Sequence, residues 1–91
     1  MELNKKRKIP EKGEVWKHFT NKLYKIIAIA EHTETKEKLV IYRALYGAYG
    51  IHARPLEMFM SKTDLFKHPE AEQEFRFALV RPGYVTQQYK S

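Results

Sequence analysis

Two apolar, β-branched segments separated by a short polar stretch constrain this chain more than any other feature. Leu23–Glu31 reads LYKIIAIAE, Leu39–Tyr46 reads LVIYRALY, and the seven polar residues of His32–Lys38 lie between them. Such segments favour extended backbone, and a short polar connection between two of them predicts an antiparallel hairpin. Because both alternating faces of each segment are apolar, the hairpin is expected to be covered on two sides. The side chains expected to be mostly buried are those of Ile27, Ile29, Ile41 and Leu45.

Shorter segments on either side of the hairpin complete the predicted fold. Further strands are expected near Val15–Phe19, Ile51–Arg54 and Phe75–Val80, while Leu56–Met60 forms either one turn of helix or a new strand. With 91 residues and 43% hydrophobic residues, the chain can bury one small core. About five short antiparallel strands with short helical turns predict an all-β domain. We expect a small barrel or a strongly bent sheet over residues 13–81, and closing the sheet would remove exposed edges.

The basic residues are concentrated at the start of the chain. Lys and Arg exceed Asp and Glu by six, and residues 1–12 carry half of this excess. This segment is predicted to be a flexible basic arm, and residues 82–91 a polar C-terminal tail. The arm contains four consecutive basic residues, Lys5, Lys6, Arg7 and Lys8. Such an arm is either a solvated terminus or a segment that holds phosphates by charge alone.

Several classes of function are excluded or disfavoured by composition and spacing. The chain has no cysteine, so disulfides, thiolate zinc sites and cysteine nucleophiles are ruled out. No apolar run is long enough to span a bilayer and no secretory signal is visible, so a cytoplasmic protein without a membrane partner is expected. No nucleophile with a base, carboxylate pair or glycine-rich phosphate loop is present, which predicts a protein that is not an enzyme and needs no cofactor. Of the four histidines, His18, His32 and His52 lack metal-site spacing, so no metal is predicted.

The polar hairpin turn and Arg54 are candidate sites with two interpretations each. His32, Glu34 and Thr35 either fix the turn through backbone hydrogen bonds or form a small ligand or acid–base site together with Arg54. Pro55 restricts Arg54 to extended geometry, so its guanidinium is pinned in direction. It then binds a carboxylate or phosphate on a ligand, or it forms an internal ion pair. The acids available for such a pair are Glu34, Glu37 and Glu57.

Aromatic and basic residues alternate along the predicted strands. The aromatic set is Trp16, Tyr24, Tyr42 and Tyr46, and the basic set is Lys17, Lys25 and Arg43. Stacking aromatics beside basic side chains are typical of proteins that bind single-stranded nucleic acid, and small barrels also hold extended peptides on aromatic surfaces. The structural alternative is that the aromatics fill the core. We therefore predict a binding module with a basic, aromatic-lined face that binds nucleic acid. The alternatives are a protein- or peptide-binding adaptor and a small enzyme or ligand site around His32, Glu34 and Arg54. The candidate binding residues are Trp16, His18, His32, Glu34, Thr35, Tyr42 and Arg54.

One further pattern connects the chain to a known family. The elements are Gly13, WKHF at 16–19, Tyr24, AEHTET at 30–35, LVIYRALYG at 39–47, RPLEMF at 54–59 and FRF at 75–77. In order and spacing this stretch, from Gly13 to Leu79, resembles the small bacterial proteins of the domain-of-unknown-function family DUF1653. The resemblance implies a mostly β, SH3-like fold and no established activity. The chain departs from the family pattern at His52-Ala53, where a Trp-Val pair is usual, and in the longer segment 61–73.

Overall fold

The predicted hairpin is present in the computed structural model of the chain, which describes residues 7–80. The elements in chain order are β1 (Val15–His18), β2 (Leu23–Glu31), β3 (Lys38–Ala44), β4 (Ile51–Pro55), α1 (Leu56–Phe59) and β5 (Phe77–Leu79). β2 and β3 pair antiparallel from Tyr24↔Ala44 to Glu31↔Lys38. Pro55 ends β4 in extended geometry, and the segment after it is the single helical turn α1 rather than a strand.

All five strands belong to one antiparallel sheet with the order β4-β3-β2-β1-β5. The prediction of a small all-β domain with about five antiparallel strands is therefore confirmed. Within residues 7–80, β4 and β5 form the two edges of the sheet and do not pair with each other, so the predicted barrel is not closed. No helix in the same range is long and apolar enough to cross a membrane.

A β-bulge in β2 determines which side chains reach the core. The pairing shifts between Ile26, which lies opposite Tyr42, and Ala28, which lies opposite Ile41. Ile27 is therefore the extra residue, and the alternation of side chains is inverted beyond it. As a result Ile26 and Ile29 point to the same side, although they are three residues apart.

The fully buried core does not include Ile27, Ile29, Ile41 and Leu45, the four side chains predicted to be mostly buried. Ile29 keeps 36% of its surface exposed, and the other three are half-buried. The sheet has one core-facing side instead of two covered sides. The sequence showed a second apolar face for two reasons. The alternation of side chains is inverted after Ile27, and the other side of the sheet carries small and branched side chains that are partly exposed.

The core lies on one side of the sheet and is built around aromatic rings. Its fully buried residues are Trp16, Ile26, Val40, Tyr42, Phe59 and Phe77. Phe59 from α1 stacks on Phe77 from β5, with ring centroids 3.9 Å apart, and Trp16 meets Phe59 edge-on at 5.6 Å. The position of α1 against the sheet is thus fixed by the Phe59 ring, which packs on side chains of both β1 and β5.

The segment before β1 lies against this core. The Arg7 guanidinium donates to the carbonyls of Met60 and Phe77 at 2.8 and 2.9 Å, and Pro10 is fully buried. Residues 7–12 therefore differ from the flexible arm that was expected. The two hydrogen bonds of Arg7 and the burial of Pro10 hold this segment against the domain. Residues 1–6 of that arm and the predicted tail at 82–91 lie outside the described residues.

Candidate functional site

The predicted basic, aromatic-lined face is divided between the two sides of the sheet. Side chains alternate along a strand, so neighbouring aromatic and basic residues point to opposite faces. The register places Trp16 opposite Tyr24, and Tyr42 opposite Ile26, on the core-facing side. Lys25 lies opposite Arg43 on the other side, which we call the outer face. The alternation that suggested one mixed surface therefore produces two surfaces of different chemistry.

Trp16 belongs to the core and is closed to a ligand. Only 1% of its surface is exposed, and its indole Nε1 donates to Oε1 of Glu14 at 3.1 Å. The candidate stacking role of Trp16 is thus replaced by the structural alternative. A tryptophan that pairs with a strand on each side and packs against Phe59 has its hydrogen bond satisfied internally.

The three basic candidates on the strands lie together on the outer face. Lys25 pairs with Arg43 on β3 and with Val15 on β1, and Lys17 lies two positions further along β1. We call Lys17, Lys25 and Arg43 the basic row. None of the three forms an ion pair with an acid among residues 7–80. These three residues share one face of the sheet, but the aromatic residues expected beside them lie on the opposite side.

Arg54 is the centre of a second group, on the core-facing side. Its Nε donates to the hydroxyl of Tyr42 at 3.1 Å, and its guanidinium carbon lies 5.8 Å from the centroid of the Phe77 ring. The Tyr42 ring lies 5.2 Å from that of Tyr24 and 5.7 Å from that of His52. The hydroxyl of Tyr24 is hydrogen-bonded to that of Tyr46. We refer to Tyr24, Tyr42, Tyr46, His52 and Arg54 as the tyrosine–arginine cluster.

The register of three strands explains why this cluster forms. Tyr24 lies opposite Ala44, Tyr42 opposite His52, and Val40 opposite Arg54, so all these side chains leave the sheet on one side. Tyr46 follows the end of β3, and its exposed ring lies 4.9 Å from the Lys22 ammonium. The cluster thus runs from the buried ring of Tyr42 to the solvent-exposed ring of Tyr46.

The electrostatic environment of the cluster is positive. Burial and the nearby positive charges of Arg54 and Arg76, with a further contribution from His68, lower the pKa of His18 to about 4. Burial and the hydrogen bond to Tyr46 raise the pKa of Tyr24 above its usual value. At neutral pH the imidazole and the phenol are therefore both uncharged. The positive charge of Arg54 is not neutralised by either of them.

Arg54 has no ion-pair partner in the described part of the chain. Glu34, Glu37 and Glu57, the acids considered for an internal pair, do not bond to it. The half-buried guanidinium bonds through Nε to Tyr42, and its two terminal nitrogens have no hydrogen-bond acceptor among residues 7–80. Of the two interpretations of Arg54, the geometry thus favours the one in which its charge is available to a ligand.

The hairpin turn uses its polar residues internally. Nδ1 of His32 accepts from the backbone N–H groups of Glu34 and Thr35 at 3.1 and 3.3 Å. The hydroxyl of Thr35 donates to Oε1 of Glu37 and accepts from the N–H of Glu37. The side chain of Glu34 makes no hydrogen bond within residues 7–80. His32 and Thr35 thus have the structural role, whereas the contacts of Arg54 lie elsewhere, with Tyr42 and Phe77.

The remaining candidates are accounted for as follows. Lys8 forms ion pairs with Glu11 at 3.1 Å and Glu14 at 2.9 Å, and Arg7 covers the Phe75 ring at 3.7 Å. Both basic side chains are therefore engaged within the domain, and Lys5 and Lys6 lie outside the described residues. Across residues 7–80, no three His, Asp or Glu side chains are grouped so that they could hold a metal ion.

A separate open pocket of about 370 Å³ contains one predicted site residue. It is lined by Lys17, Glu70 and Glu72 together with uncharged residues of the turn after β1 and of the segment 70–73. Because two carboxylates accompany the single lysine, this pocket is a poorer site for an anion than the surroundings of Arg54.

The grouping of the tyrosines around Arg54 was not foreseen from the sequence. Tyr24, Tyr42 and Tyr46 were expected beside the basic row, and the contact between Arg54 and the hydroxyl of Tyr42 was not predicted. A signal was available in the strand order: once β3 and β4 form a hairpin through Gly47–Gly50, Tyr42 must lie near His52. The Arg7 contacts had no such signal, because they connect residues more than fifty positions apart.

The fold and the site define a small all-β domain with an open five-stranded sheet that carries the tyrosine–arginine cluster on its core-facing side. The family model described as "Protein of unknown function (DUF1653)" matches residues 14–79, and the chain belongs to this family. A crystal structure of a protein belonging to DUF1653 from Bordetella bronchiseptica is similar, with a TM-score of 0.62 and 28% sequence identity. The similarity covers 76% of this chain and 86% of that chain. A search of curated proteins found no match. The predicted family membership is thus confirmed.

Proposed function

We propose that this DUF1653 chain is a binding domain rather than an enzyme, and that Arg54 recognises an anionic group on its ligand. One observation carries the proposal: a half-buried guanidinium, held at Nε by Tyr42, has no carboxylate partner among residues 7–80. Among residues 7–80 no buried side-chain nitrogen lacks a hydrogen-bond partner, so the two terminal nitrogens of Arg54 are open to solvent and accessible to an incoming carboxylate or phosphate. The fixed direction of the guanidinium suits bidentate binding.

The surroundings of Arg54 support this proposal through their charge. The positive charges that lower the pKa of His18 also attract an anion to this end of the sheet. The hydroxyl of Tyr24 stays protonated at neutral pH, because burial and its hydrogen bond to Tyr46 raise the pKa of Tyr24. No acidic residue occurs in the sequence from Val15 to Ala30 or from Lys38 to Leu56, so the parts of the strands that carry the cluster contain no negative side chain.

The experiment compares thermal unfolding in inorganic phosphate, acetate and chloride at equal ionic strength. A ligand at ten times its Kd stabilises the native state by about 1.4 kcal/mol, which raises Tm by roughly 6–11 °C in a domain of this size. We expect such a rise for the wild type in phosphate or acetate, and its loss in Arg54→Gln. Arg43→Gln is the matched control, because Arg43 lies on the outer face. A shift that Arg54→Gln retains in full would refute the proposal.

Binding of single-stranded nucleic acid is a second candidate function, and it is supported by the basic row. Lys17, Lys25 and Arg43 are adjacent on the outer face and form no ion pair among residues 7–80. Because the buried rings of Trp16 and Tyr42 face away from this row, binding there would depend on charge rather than on stacking.

A salt series with single-stranded DNA tests this second function. Each phosphate neutralised contributes a slope of about 0.7 in the dependence of log K on log salt. We expect the double variant Lys25→Gln, Arg43→Gln to lose more than one unit of that slope, and Arg54→Gln to change it less. Absence of binding by the wild type at low salt would contradict nucleic-acid binding and leave the Arg54 proposal unaffected.

A further inference from the structure

The outer edge of β4 carries backbone groups without a partner in the described range. β4 is the terminal strand of the sheet and pairs on one side with β3. Among residues 7–80 no other segment pairs with Ile51–Pro55. An exposed strand edge is a template for another extended chain, and many domains bind peptides in this way.

The ladder between β3 and β4 determines which groups face that edge. The N–H of Ala44 donates to the carbonyl of Gly50 at 2.9 Å. Antiparallel pairs alternate between residues that bond across the ladder and residues whose N–H and C=O point away from it. With Tyr42 opposite His52, it follows that His52 and Arg54 bond to β3, while Ile51 and Ala53 direct their N–H and C=O groups outward. Pro55 follows at a position whose backbone nitrogen also faces outward. Because proline has no N–H, this position costs no hydrogen bond to β3.

The edge and the tyrosine–arginine cluster meet at Arg54. A residue on an added strand directly opposite Arg54 would project its side chain on the same side of the sheet as the guanidinium. The next residue, opposite Ala53, would project onto the outer face, beside the exposed side chains of Ala53 and Ile51. A suitable partner therefore alternates acidic side chains toward Arg54 and His52 with apolar side chains toward Ala53 and Ile51.

From this geometry we infer that the partner is an extended, acidic segment of another protein that adds to the edge of β4 and pairs a carboxylate with Arg54. The inference rests on the proposed recognition of an anion by Arg54 and names the class of ligand that carries it. A carboxylate opposite Arg54 gains both a charge pair and a position fixed by backbone hydrogen bonds.

Charge favours an acidic segment of another protein over two other segments that could add to the edge of β4, namely a second copy of this chain and residues 81–91. A second copy added antiparallel about Ala53 would place its His52 opposite Arg54 and bring two Arg54 guanidinium groups to the same side of the ladder. Residues 81–91 contain Arg81 and Lys90 and no acid, so this segment has no side-chain carboxylate to offer Arg54. An acidic strand from a different protein meets the positive edge without repulsion.

The test uses the full chain and a fluorescently labelled peptide that alternates valine and glutamate. The matched peptide alternates valine and lysine. We expect the glutamate peptide to bind, and the lysine peptide to bind at least tenfold more weakly, because it places a like charge opposite Arg54. Equal binding of the two peptides, or binding of neither, would overturn the inference.

Two variants separate the edge from the anion site. Ala53→Pro removes the outward N–H without removing a hydrogen bond to β3, and Ala53→Ser keeps that N–H as the control. We expect Ala53→Pro and Arg54→Gln each to weaken binding about tenfold or more, and Ala53→Ser to leave it nearly unchanged. If Arg54→Gln weakens binding but Ala53→Pro does not, strand addition is wrong and anion recognition by Arg54 stands. If only Ala53→Pro weakens binding, the role given to Arg54 is wrong.

Hydrogen exchange on the wild type provides a readout that does not depend on the folding of the variants. Strand addition should slow the exchange of the amides of Ile51 and Ala53, which face the edge, more than that of His52 and Arg54, which already bond to β3. Uniform protection of all four amides, or none, would contradict addition at this edge.

Discussion

Replacement of Arg7 by alanine should destabilise the domain, although Arg7 lies in the segment expected to be an arm. Its two terminal nitrogens donate to the carbonyls of Met60 and Phe77, and the guanidinium covers the ring of Phe75 at 3.7 Å. Hydrogen bonds to a charged group contribute about 1.5–3 kcal/mol each, and a cation–π contact at an exposed site adds about 0.5–1 kcal/mol. Burial lowers the pKa of Arg7, so desolvation of the cation opposes these gains. We therefore expect Arg7→Ala to lower the free energy of unfolding by about 2 kcal/mol.

Urea denaturation of the purified full chain measures this change. Lys12→Ala is the control within the same segment, because Lys12 is exposed and makes no side-chain contact described among residues 7–80. It should change the free energy of unfolding by less than about 0.5 kcal/mol. Arg7→Lys keeps the charge but not the paired geometry and should fall between the wild type and Arg7→Ala. An unchanged urea midpoint for Arg7→Ala would show that the contacts of Arg7 contribute nothing net and that the segment does not anchor the chain.

Three further changes are expected in the same assay. Because the pKa of His18 is lowered from 6.5 to about 4, the unfolded chain binds the proton more tightly, and stability is lost as the pH falls through that window. Because solvent partly screens the half-buried His18, the loss in the free energy of unfolding should be about 1–2 kcal/mol. His18→Gln should reduce this loss, and an identical dependence of stability on pH in the variant would contradict the prediction. His32→Ala should cost about 1 kcal/mol because two N–H groups lose their acceptor, whereas Glu34→Ala should change stability by less than about 0.5 kcal/mol; the reverse order would be incompatible with the described turn. Phe59→Ala should cost about 3–5 kcal/mol because it removes a ring stacked on Phe77, and a loss below about 1 kcal/mol would argue against this packing.

The strands were predictable because their signals are local. β2 begins and ends at the predicted residues, Leu23 and Glu31, since β-branched residues fill it and polar turns flank it. The sequence does not distinguish helix from strand for α1, because four residues after a proline are too few to show a helical or an alternating pattern.

The site was only partly predictable, because its assembly depends on register. Arg54 was identified from the proline that follows it, and Lys17, Lys25 and Arg43 share one face of the sheet. Which face each residue occupies is fixed by pairing between strands, and a single extra residue inverts it. The bulge at Ile27 has no signature in a run of isoleucine and alanine, so the partial exposure of Ile29 was not foreseen. The separation of Trp16 from the basic residues was not foreseen either.

The same bulge makes β2 tolerant of one particular change in chain length. Deletion of either Ile26 or Ile27 yields the same sequence and would leave Tyr24, the remaining isoleucine and Ile29 opposite the same partners on β3. The ladder would become continuous and lose the local twist that a bulge adds. Deletion of Ile29 would instead place Ala28 opposite Val40 and change the set of side chains that faces the core. Among deletions in the longest strand, removal of one isoleucine here would therefore alter the curvature of the sheet and leave the identity of its packed residues intact.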